Sequence, residues 1–309
     1  MTKRYKFKKQ GLIFKKDLGE GWWKSHAMAP SAIFWKGSIR IFFGAWDENP
    51  VSRITYIDVD PIDPSNILRV KNSPILDIGD DGMFDDNGVF PAHASIMHGR
   101  IYLYYTGFQK GQKVAHYNFG GLAISDDGDN FLRVSKAPIL DRKDEGLLVR
   151  AGQSVIQSQG KYKSVYSIGN GFKYVGGKER PTYDVAYQES NSAVEFLSVG
   201  QKILSCDYTI EHGLGRPQII EINDRTFIFY TRRMLNMKYF IGCAVQNDSG
   251  EWVKNDDIFS EVKHSVDGFD SKMIYFPSVV FVPTTGKYLL FYNGNNFGED
   301  GIGFLELVI

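Results

Sequence analysis

One phrase, repeated five times at a pitch of about sixty residues, limits what this chain can fold into more than any other feature. Its copies read APSAIFWKGSIRIFFGAWDE from Ala29, FPAHASIMHGRIYLYYTGF from Phe90, RAGQSVIQSQGKYKSVYSIGNG from Arg150, GRPQIIEINDRTFIFYTRR from Gly215 and YFPSVVFVPTTGKYLLFYNGNN from Tyr275. Each copy has a Pro- or Gly-containing entry, an apolar run, a tight turn, and a second run rich in aromatics that ends in polar residues. Self-similarity at a fixed period marks an array of one supersecondary unit, each burying its apolar face against its neighbours.

The runs are short, bounded by Gly, Asn, Asp or Pro, and rich in β-branched and aromatic residues, so they read as strands. The second copy shows a full unit: PAHASIM, RIYLYYTGF, FGGLAISDDGDN and FLRVSKAPIL. The third of these closes on the turn Asp126–Asp129, and the fourth ends in a tag that recurs as NSPIL, KAPIL and VGQKIL. Four antiparallel strands per unit, radially repeated, predict an all-β, five-bladed β-propeller over residues 1–309 as a single domain. The last unit stops after its third strand, GIGFLELVI, and the N-terminal QGLIFKKD resembles the missing fourth. We therefore expect the N-terminal strand to join the last blade and close the ring.

Bulk properties narrow the function classes. Lys plus Arg balances Asp plus Glu at 36 each, with no long basic run beyond KRYKFKK, which argues against nucleic acid as a partner. No apolar stretch approaches the length of a membrane span, and the basic start has no apolar segment behind it, so the expectation is a cytoplasmic protein. Cys206 and Cys243 sit singly in strand-like segments and read as buried structural thiols. No Walker loop, GxSxG elbow, CxxC or HExxH spacing occurs, and the six scattered histidines predict neither a metal site nor a cofactor. Aromatic residues at 14% suit either packing between sheets or stacking on sugars and bases.

In a blade, residues just before the first strand and just after the second meet at one face of the ring, around the central depression. Before the first strands lie Lys24, Ser25 and His26; Asp85, Asp86 and Asn87; Arg150; Glu211, His212 and Arg216; and Asp270, Lys272 and Tyr275. After the second strands lie Trp46, Asp47 and Glu48; Tyr105; Asn170; Tyr230, Arg232 and Arg233; and Asn293, Asn295 and Asn296. Carboxylates from several blades beside Arg and His suit a polyhydroxylated ligand, and glycosidic cleavage needs a carboxyl pair of this kind. Asp86, Glu211 and Asp270 are the expected acid–base set. Asp85 is adjacent to Asp86, so only one of the two points inward along an extended chain. Lys24, His26, Asp85, Tyr105, Arg150, Arg216, Arg232, Tyr275 and Asn293 are the expected substrate-binding residues, and their basic members extend the ligand class to anionic saccharides.

The phrases WWKSHAMAPS, FDDNGVFPAHASIMHGRIYLYYTGF, GGLAISDDGDNF, EHGLGRP and GFDSKMIYFPSVVF, followed by FYNGNNFG, resemble the five-bladed propellers of glycoside hydrolase families 32, 43, 68 and 130. The likeness spans nearly the whole chain and is nearest to uncharacterised bacterial members linked to surface-polysaccharide biosynthesis. It implies a carbohydrate-active enzyme acting on a small saccharide or activated sugar. Families 32 and 43 place an acid early in blade one, where this chain reads KSHAMAP, and the DPR-type phrase of a mannoside phosphorylase is missing. Asp86 and Glu211 are the positions with equivalents in those families. Hydrolysis, phosphorolysis, glycosyl transfer and non-catalytic carbohydrate binding all remain open from sequence. A WD or kelch interaction propeller does not fit, because those repeats are shorter and their signatures are missing.

Overall fold

The computed structural model of the chain describes residues 5–16 and 21–308, so Lys3, Arg4, Asp17 and Ile309 of the segments quoted above lie outside it. The first strand, β1 (Lys6–Phe14), pairs with none of its sequence neighbours. Four strands then follow as one antiparallel sheet: β2 (Ser25–Trp35), β3 (Ser38–Trp46), β4 (Ser52–Val59) and β5 (Ile67–Val70). The second group is β6 (Val89–Met97), β7 (Arg100–Lys110), β8 (His116–Ser125) and β9 (Leu132–Arg133).

The third group has β10 (Val149–Ser158) and β11 (Lys161–Gly169), then a separate hairpin of β12 (Phe172–Val175) and β13 (Lys178–Pro181). It resumes with β14 (Asp184–Ser190) and β15 (Gln201–Leu204). Val149 and Arg150 also pair in parallel with Asn118 and Phe119 of β8, a short ladder that joins the second and third groups. The fourth sheet is β16 (Glu211–Ile222), β17 (Arg225–Met234), β18 (Phe240–Gln246) and β19 (Trp252–Lys254). The last is β20 (Tyr275–Val282), β21 (Lys287–Asn293) and β22 (Ile302–Val308), and β1 runs antiparallel along β22 from Lys6–Val308 to Phe14–Ile302. Helix among the described residues is confined to two single turns, Asp256–Phe259 and Asn295–Gly298.

The expected fourth strands are shorter than the sequence suggested. In the second unit only Leu132 and Arg133 form a strand, and the following tag makes an isolated bridge, Leu140 with Gly120, as Leu76 does with Ile54. Pro74 and Pro138, which lack an N–H for a ladder, interrupt the pairing just before each bridge.

Every first strand carries a β-bulge at the same place, seen as a register break before Ser31, His93, Ser154, Gln218 and Ser278. The bulge puts Ala29, Gly152, Arg216 and Phe276 into the left-handed region, with φ of 56°, 66°, 46° and 56°. Prolines follow three of these, Pro30, Pro217 and Pro277, as expected where the ladder is already broken. The residue after each bulge then serves as a side-chain acceptor for the next sheet. Ser31 Oγ accepts the Ala94 N–H at 2.7 Å, His93 Nδ1 that of Val155 at 3.4 Å, and Ser154 Oγ that of Ile219 at 3.2 Å. Gln218 Oε1 takes the Val279 N–H at 2.5 Å, and Ser278 Oγ takes the Ala32 N–H at 2.8 Å, which returns the circuit to the first sheet.

A second set of bonds runs between the same neighbours. The bulged N–H groups of Ala29, Gly152, Arg216 and Phe276 donate to Asn293 Oδ1, Thr106 Oγ1, Ser167 Oγ and Thr231 Oγ1 on the second strand of the preceding sheet. The remaining junction lacks both partners at once: Pro91 has no N–H and Gly44 has no hydroxyl. Apolar clusters fill the space between successive sheets, for example Phe227, Phe229, Leu290 and Tyr292 between the fourth and the last. Ile39, Ile41, Val280 and Phe291 do the same between the last and the first.

The buried circuit has an energetic consequence. Gln218 both accepts from Val279 N and donates through Nε2 to Val279 O at 2.8 Å, so Gln218→Ala strands a buried backbone donor and acceptor. Denaturant unfolding should show a loss of about 2–4 kcal/mol, from about 1–3 kcal/mol for each unsatisfied group. A loss under about 0.5 kcal/mol would show that these bonds are not structural.

Candidate functional site

The carboxylates singled out from sequence do not meet in one place. Asp85, Glu211 and Asp270 each sit in their own sheet as part of a recurring lock, Glu145 holds the same kind of place in the third sheet, and Asp86 lies outside the locks. Asp85 is fully buried and accepts from Tyr105 OH at 3.1 Å and Arg133 Nε at 3.0 Å. Asp270, also fully buried, accepts from Tyr292 OH at 2.8 Å and pairs with Lys9 Nζ at 2.5 Å. Glu145 holds Arg150 Nε at 2.9 Å and Tyr166 OH at 3.4 Å. Glu211 is buried against Arg232 and accepts the Asp207 N–H at 3.2 Å, while Arg232 reaches on to Asp256 at 2.9 Å.

The pattern follows from the repeat. The aromatic run of four second strands supplies a tyrosine at one register position, Tyr105, Tyr166, Tyr230 and Tyr292, and all but Tyr230, whose hydroxyl has no partner, donate to a lock acid. The first sheet has Phe43 there, and the position matching Asp85 and Asp270 is Trp23, whose ring packs 5.1 Å from that of Phe43. In the first sheet an apolar pair thus stands where the others have acid and hydroxyl.

The other expected site residues have the following surroundings. Arg150 is spent on Glu145, Tyr166 OH and the carbonyls of Asp141 and Ser198. Asn293 bridges Ala29 N and Ala27 O across the junction between last and first sheets. Tyr105 and Arg232 belong to the locks already described. Lys24 lines a lateral groove with Asp47 and Glu48. His26, with φ 64°, stacks on Trp46 at 3.7 Å between ring centroids, and burial lowers its pKa. Tyr275 is buried with no partner for its hydroxyl, between Tyr239, Phe276 and Phe297. Asp86 is half-buried, accepts the Gly82 N–H at 3.0 Å and leaves Oδ1 unpartnered.

Arg216 lies where four of the sheets meet. Its guanidinium donates to the carbonyls of Pro91, Pro277, Ala29 and Pro30, which belong to three other sheets, at 3.1, 3.2, 3.3 and 2.6 Å. No carboxylate accompanies it, and burial lowers its pKa to about 9, so it stays charged at neutral pH among carbonyl dipoles.

A cavity of about 440 Å³ opens nearby, and a smaller chamber of about 60 Å³ adjoins it, with Arg216 and Gly152 in its wall. Trp46, Phe90, Phe108, His116, Phe276 and Phe297 give the larger cavity aromatic walls, and Asn87 and Asn118 add amide groups. Its cationic side is Arg180 and Arg233, with Lys110 and Lys178 also on the lining. Glu179 is the single carboxylate lining it among the described residues. His116 stacks on Phe108 at 4.8 Å, and burial followed by the nearby Arg233 charge lowers its pKa to about 4, leaving a neutral imidazole. His212 is likewise neutral, pushed to about 3 by burial and Arg233, and its Nε2 lies 3.0 Å from Tyr239 OH.

Sequence reasoning placed Trp46, Asn87, Arg216 and Arg233 at the mouth but missed Phe108, His116, Asn118, Arg180 and Tyr183. His116 and Asn118 come from a third strand, which the mouth geometry of first and second strands leaves out. Arg180 comes from the β12–β13 hairpin, inserted in one unit alone. Its signal was available, since KYV-GG-KER is a two-residue Gly-Gly turn, and Gly176 and Gly177 take φ of 60° and 82° as such a turn requires. Arg232 and Arg233 are adjacent on β17 and so point to opposite faces, one into the lock and the other to the cavity.

The fold is shared with glycoside-hydrolase-type proteins of known structure. A glycosyl hydrolase from Bacteroides ovatus aligns with a TM-score of 0.66 at 14% identity, covering 92% of this chain and 85% of that one. A structure from the GH130 family of mannoside phosphorylases, which contains glycoside hydrolases that target β-1,2 mannosidic linkages, aligns at 0.66 with 15% identity over 92% and 85% of the two chains. The Bombyx mori GH32 β-fructofuranosidase gives 0.62 at 16% identity, over 92% of this chain and 61% of its own. In sequence, an uncharacterised protein of Mycobacterium tuberculosis, Rv1502, is 29% identical over 97% of this chain and 99% of its own length. No family model matches.

Among the described residues, no three His, Cys, Asp or Glu side chains are grouped to hold a metal ion, and no helix is long and apolar enough to cross a membrane. Burial pushes the Cys206 thiol up to about 12, which keeps it unreactive.

The lock assignment predicts an acid limb in stability. Burial alone would raise the Asp270 pKa, but hydrogen bonds from Lys9, Ser265 and Tyr292 outweigh it and hold the group below its ordinary 3.8. The contribution is therefore complete above the unfolded value and is lost as pH falls through the folded one. Asp270→Asn should cost about 2–4 kcal/mol near neutrality, where it removes one partner of a buried pair. The gap to the parent protein should narrow between about pH 5 and pH 3. A pH-independent gap in denaturation midpoints would contradict the assignment.

Proposed function

We propose that the five sheets are the blades of a five-bladed propeller, closed by β1 in the last blade, and that the central cavity holds a short saccharide. The closed circuit of side-chain to backbone bonds supports the first part. The second rests on the cavity's composition, for flat aromatic faces set among amide groups suit the apolar faces and hydroxyls of a sugar ring.

The reading carries an enzyme of the glycoside hydrolase type that cleaves or transfers a glycosyl group. Glu211 and Asp270 are poor acid–base candidates because Arg232 and Lys9 hold them. Asp86 stays a candidate, since its Oδ1 is free and its neighbour Asn87 lines the cavity. Glu179 joins it as the carboxylate on the cavity wall. Proton transfer by a positioned carboxyl contributes about 10²–10⁴-fold, so removal of either group has a large expected effect. A second reading, a carbohydrate-binding propeller without turnover, is favoured by one observation: the lining offers one carboxylate where glycosidic cleavage uses two.

The two readings separate in a screen of nitrophenyl glycosides and glycosyl phosphates. The enzyme reading expects turnover of at least one substrate, and a fall in kcat of at least about 10²-fold in Asp86→Asn or Glu179→Gln. Trp46→Ala should weaken binding of the same saccharide by about tenfold in either reading. Full activity in both carboxyl variants would refute the acid–base assignment, and undiminished binding in Trp46→Ala would refute the cavity as the saccharide site.

A further inference from the structure

We propose that Arg180 and Arg233 form an anion-binding subsite in the cavity wall, which takes a carboxylate or phosphate group carried by the saccharide. The inference deepens the saccharide reading above and rests on it.

The two side chains stand apart from every other buried cation described. Arg40 is paired with Asp58, Arg133 with Asp85, Arg150 with Glu145, and Arg232 with Glu211 and Asp256. Arg216 is enclosed by four carbonyl contacts. Arg180 is 7% exposed and Arg233 8%, yet neither has a carboxylate within salt-bridge distance among the described residues. A guanidinium carries five N–H donors and does not shed its charge by deprotonating at neutral pH. Arg180 Nε donates to Val175 O at 3.1 Å, and Arg233 has the neutral hydroxyls of Tyr183 and Tyr239 as hydrogen-bond partners, so neither fork meets an anionic acceptor among the described residues. Arg233 is held from the sides by the rings of Tyr183 and Tyr239, at 5.2 and 5.4 Å, which fix its direction without supplying a counter-charge.

Burying such groups without a counter-charge is costly, and the cost is recovered when a ligand brings the anion. Both residues line the 440 Å³ cavity, and Arg233 also lines the 60 Å³ chamber with Arg216. The neutral imidazoles of His116 and His212 add no competing negative charge, and Glu179 is exposed on the hairpin. Planar forks match both carboxylate and phosphate oxygens, so the shared chemistry is an oxyanion with two or more terminal oxygens.

Calorimetry with inorganic phosphate, D-glucuronate and D-glucose at low salt tests the subsite, using the parent chain, Arg180→Gln and Arg233→Gln. We expect phosphate or glucuronate to bind the parent, and to bind each variant about tenfold or more weakly. Binding of phosphate without glucuronate identifies a phosphorylated ligand, and the reverse a uronic or related acid. Thermal melts distinguish a binding role from a structural one. Without anion, both variants should melt at or above the parent temperature, because an uncompensated charge has been removed, and added anion should stabilise only the parent. Absence of binding by either anion, retention of it within twofold in both variants, or anion-free destabilisation of both variants would each overturn the proposal. If the anions fail while a neutral saccharide still binds through Trp46, the subsite falls and the saccharide cavity stands.

Discussion

The bulge in each innermost strand is the constraint on which the rest of the structure depends. It breaks the ladder at one point per sheet, in four of the five sheets turns a residue into the left-handed region, and exposes backbone N–H groups that the sheet itself cannot satisfy. Those donors are taken up by Ser31, His93, Ser154, Gln218 and Ser278 in one circuit and by Thr106, Ser167, Thr231 and Asn293 in another. Left-handed backbone at Ala29, Arg216 and Phe276 costs on the order of 1–3 kcal/mol each, and the inter-sheet bonds offset that strain. The same bulges bring carbonyls of three other sheets to the Arg216 guanidinium.

Around Arg216 the repeat places a second set of polar contacts, and here the sequence shows one side of each pair. Asp85, Glu211 and Asp270 were legible as unusual acids near the start of inner strands, and they are unusual, but as buried locks. What sequence could not show is the partner. Arg133 comes from a fourth strand 48 positions after Asp85, and Lys9 reaches Asp270 from the opposite end of the chain. A charged residue at the expected site position reads the same whether its counter-charge is a ligand or a lysine brought in by topology. The first sheet holds the clue that was readable: Phe43 in place of tyrosine and Trp23 in place of the acid change together, as members of one packed contact do.

The architecture, by contrast, was largely legible. The order of the repeated strands within each unit follows from a period that stacked sheets satisfy, and the pairing of β1 with β22 from the short last unit. The cavity was legible in part, because the repeat can point to Trp46 and Arg233 but not to what departs from it. The β12–β13 hairpin and the long β7–β8 pair are such departures, and they carry Arg180, Phe108 and His116 to the cavity. Repeated residues hold the sheets together, while the residues with free chemistry sit in the irregular parts. The likeness to glycoside-hydrolase-type structures at 14–16% identity concerns the scaffold alone.

The most direct measurement is a structure with a saccharide ligand bound. The account predicts a sugar ring against the aromatic wall at Trp46, with an anionic group within hydrogen-bond reach of Arg180 and Arg233. Asp85, Glu211 and Asp270 should keep Arg133, Arg232 and Lys9 unchanged. A ligand seated instead on Glu211 or Asp270, with its lock opened, would contradict the division between structural acids and functional arginines.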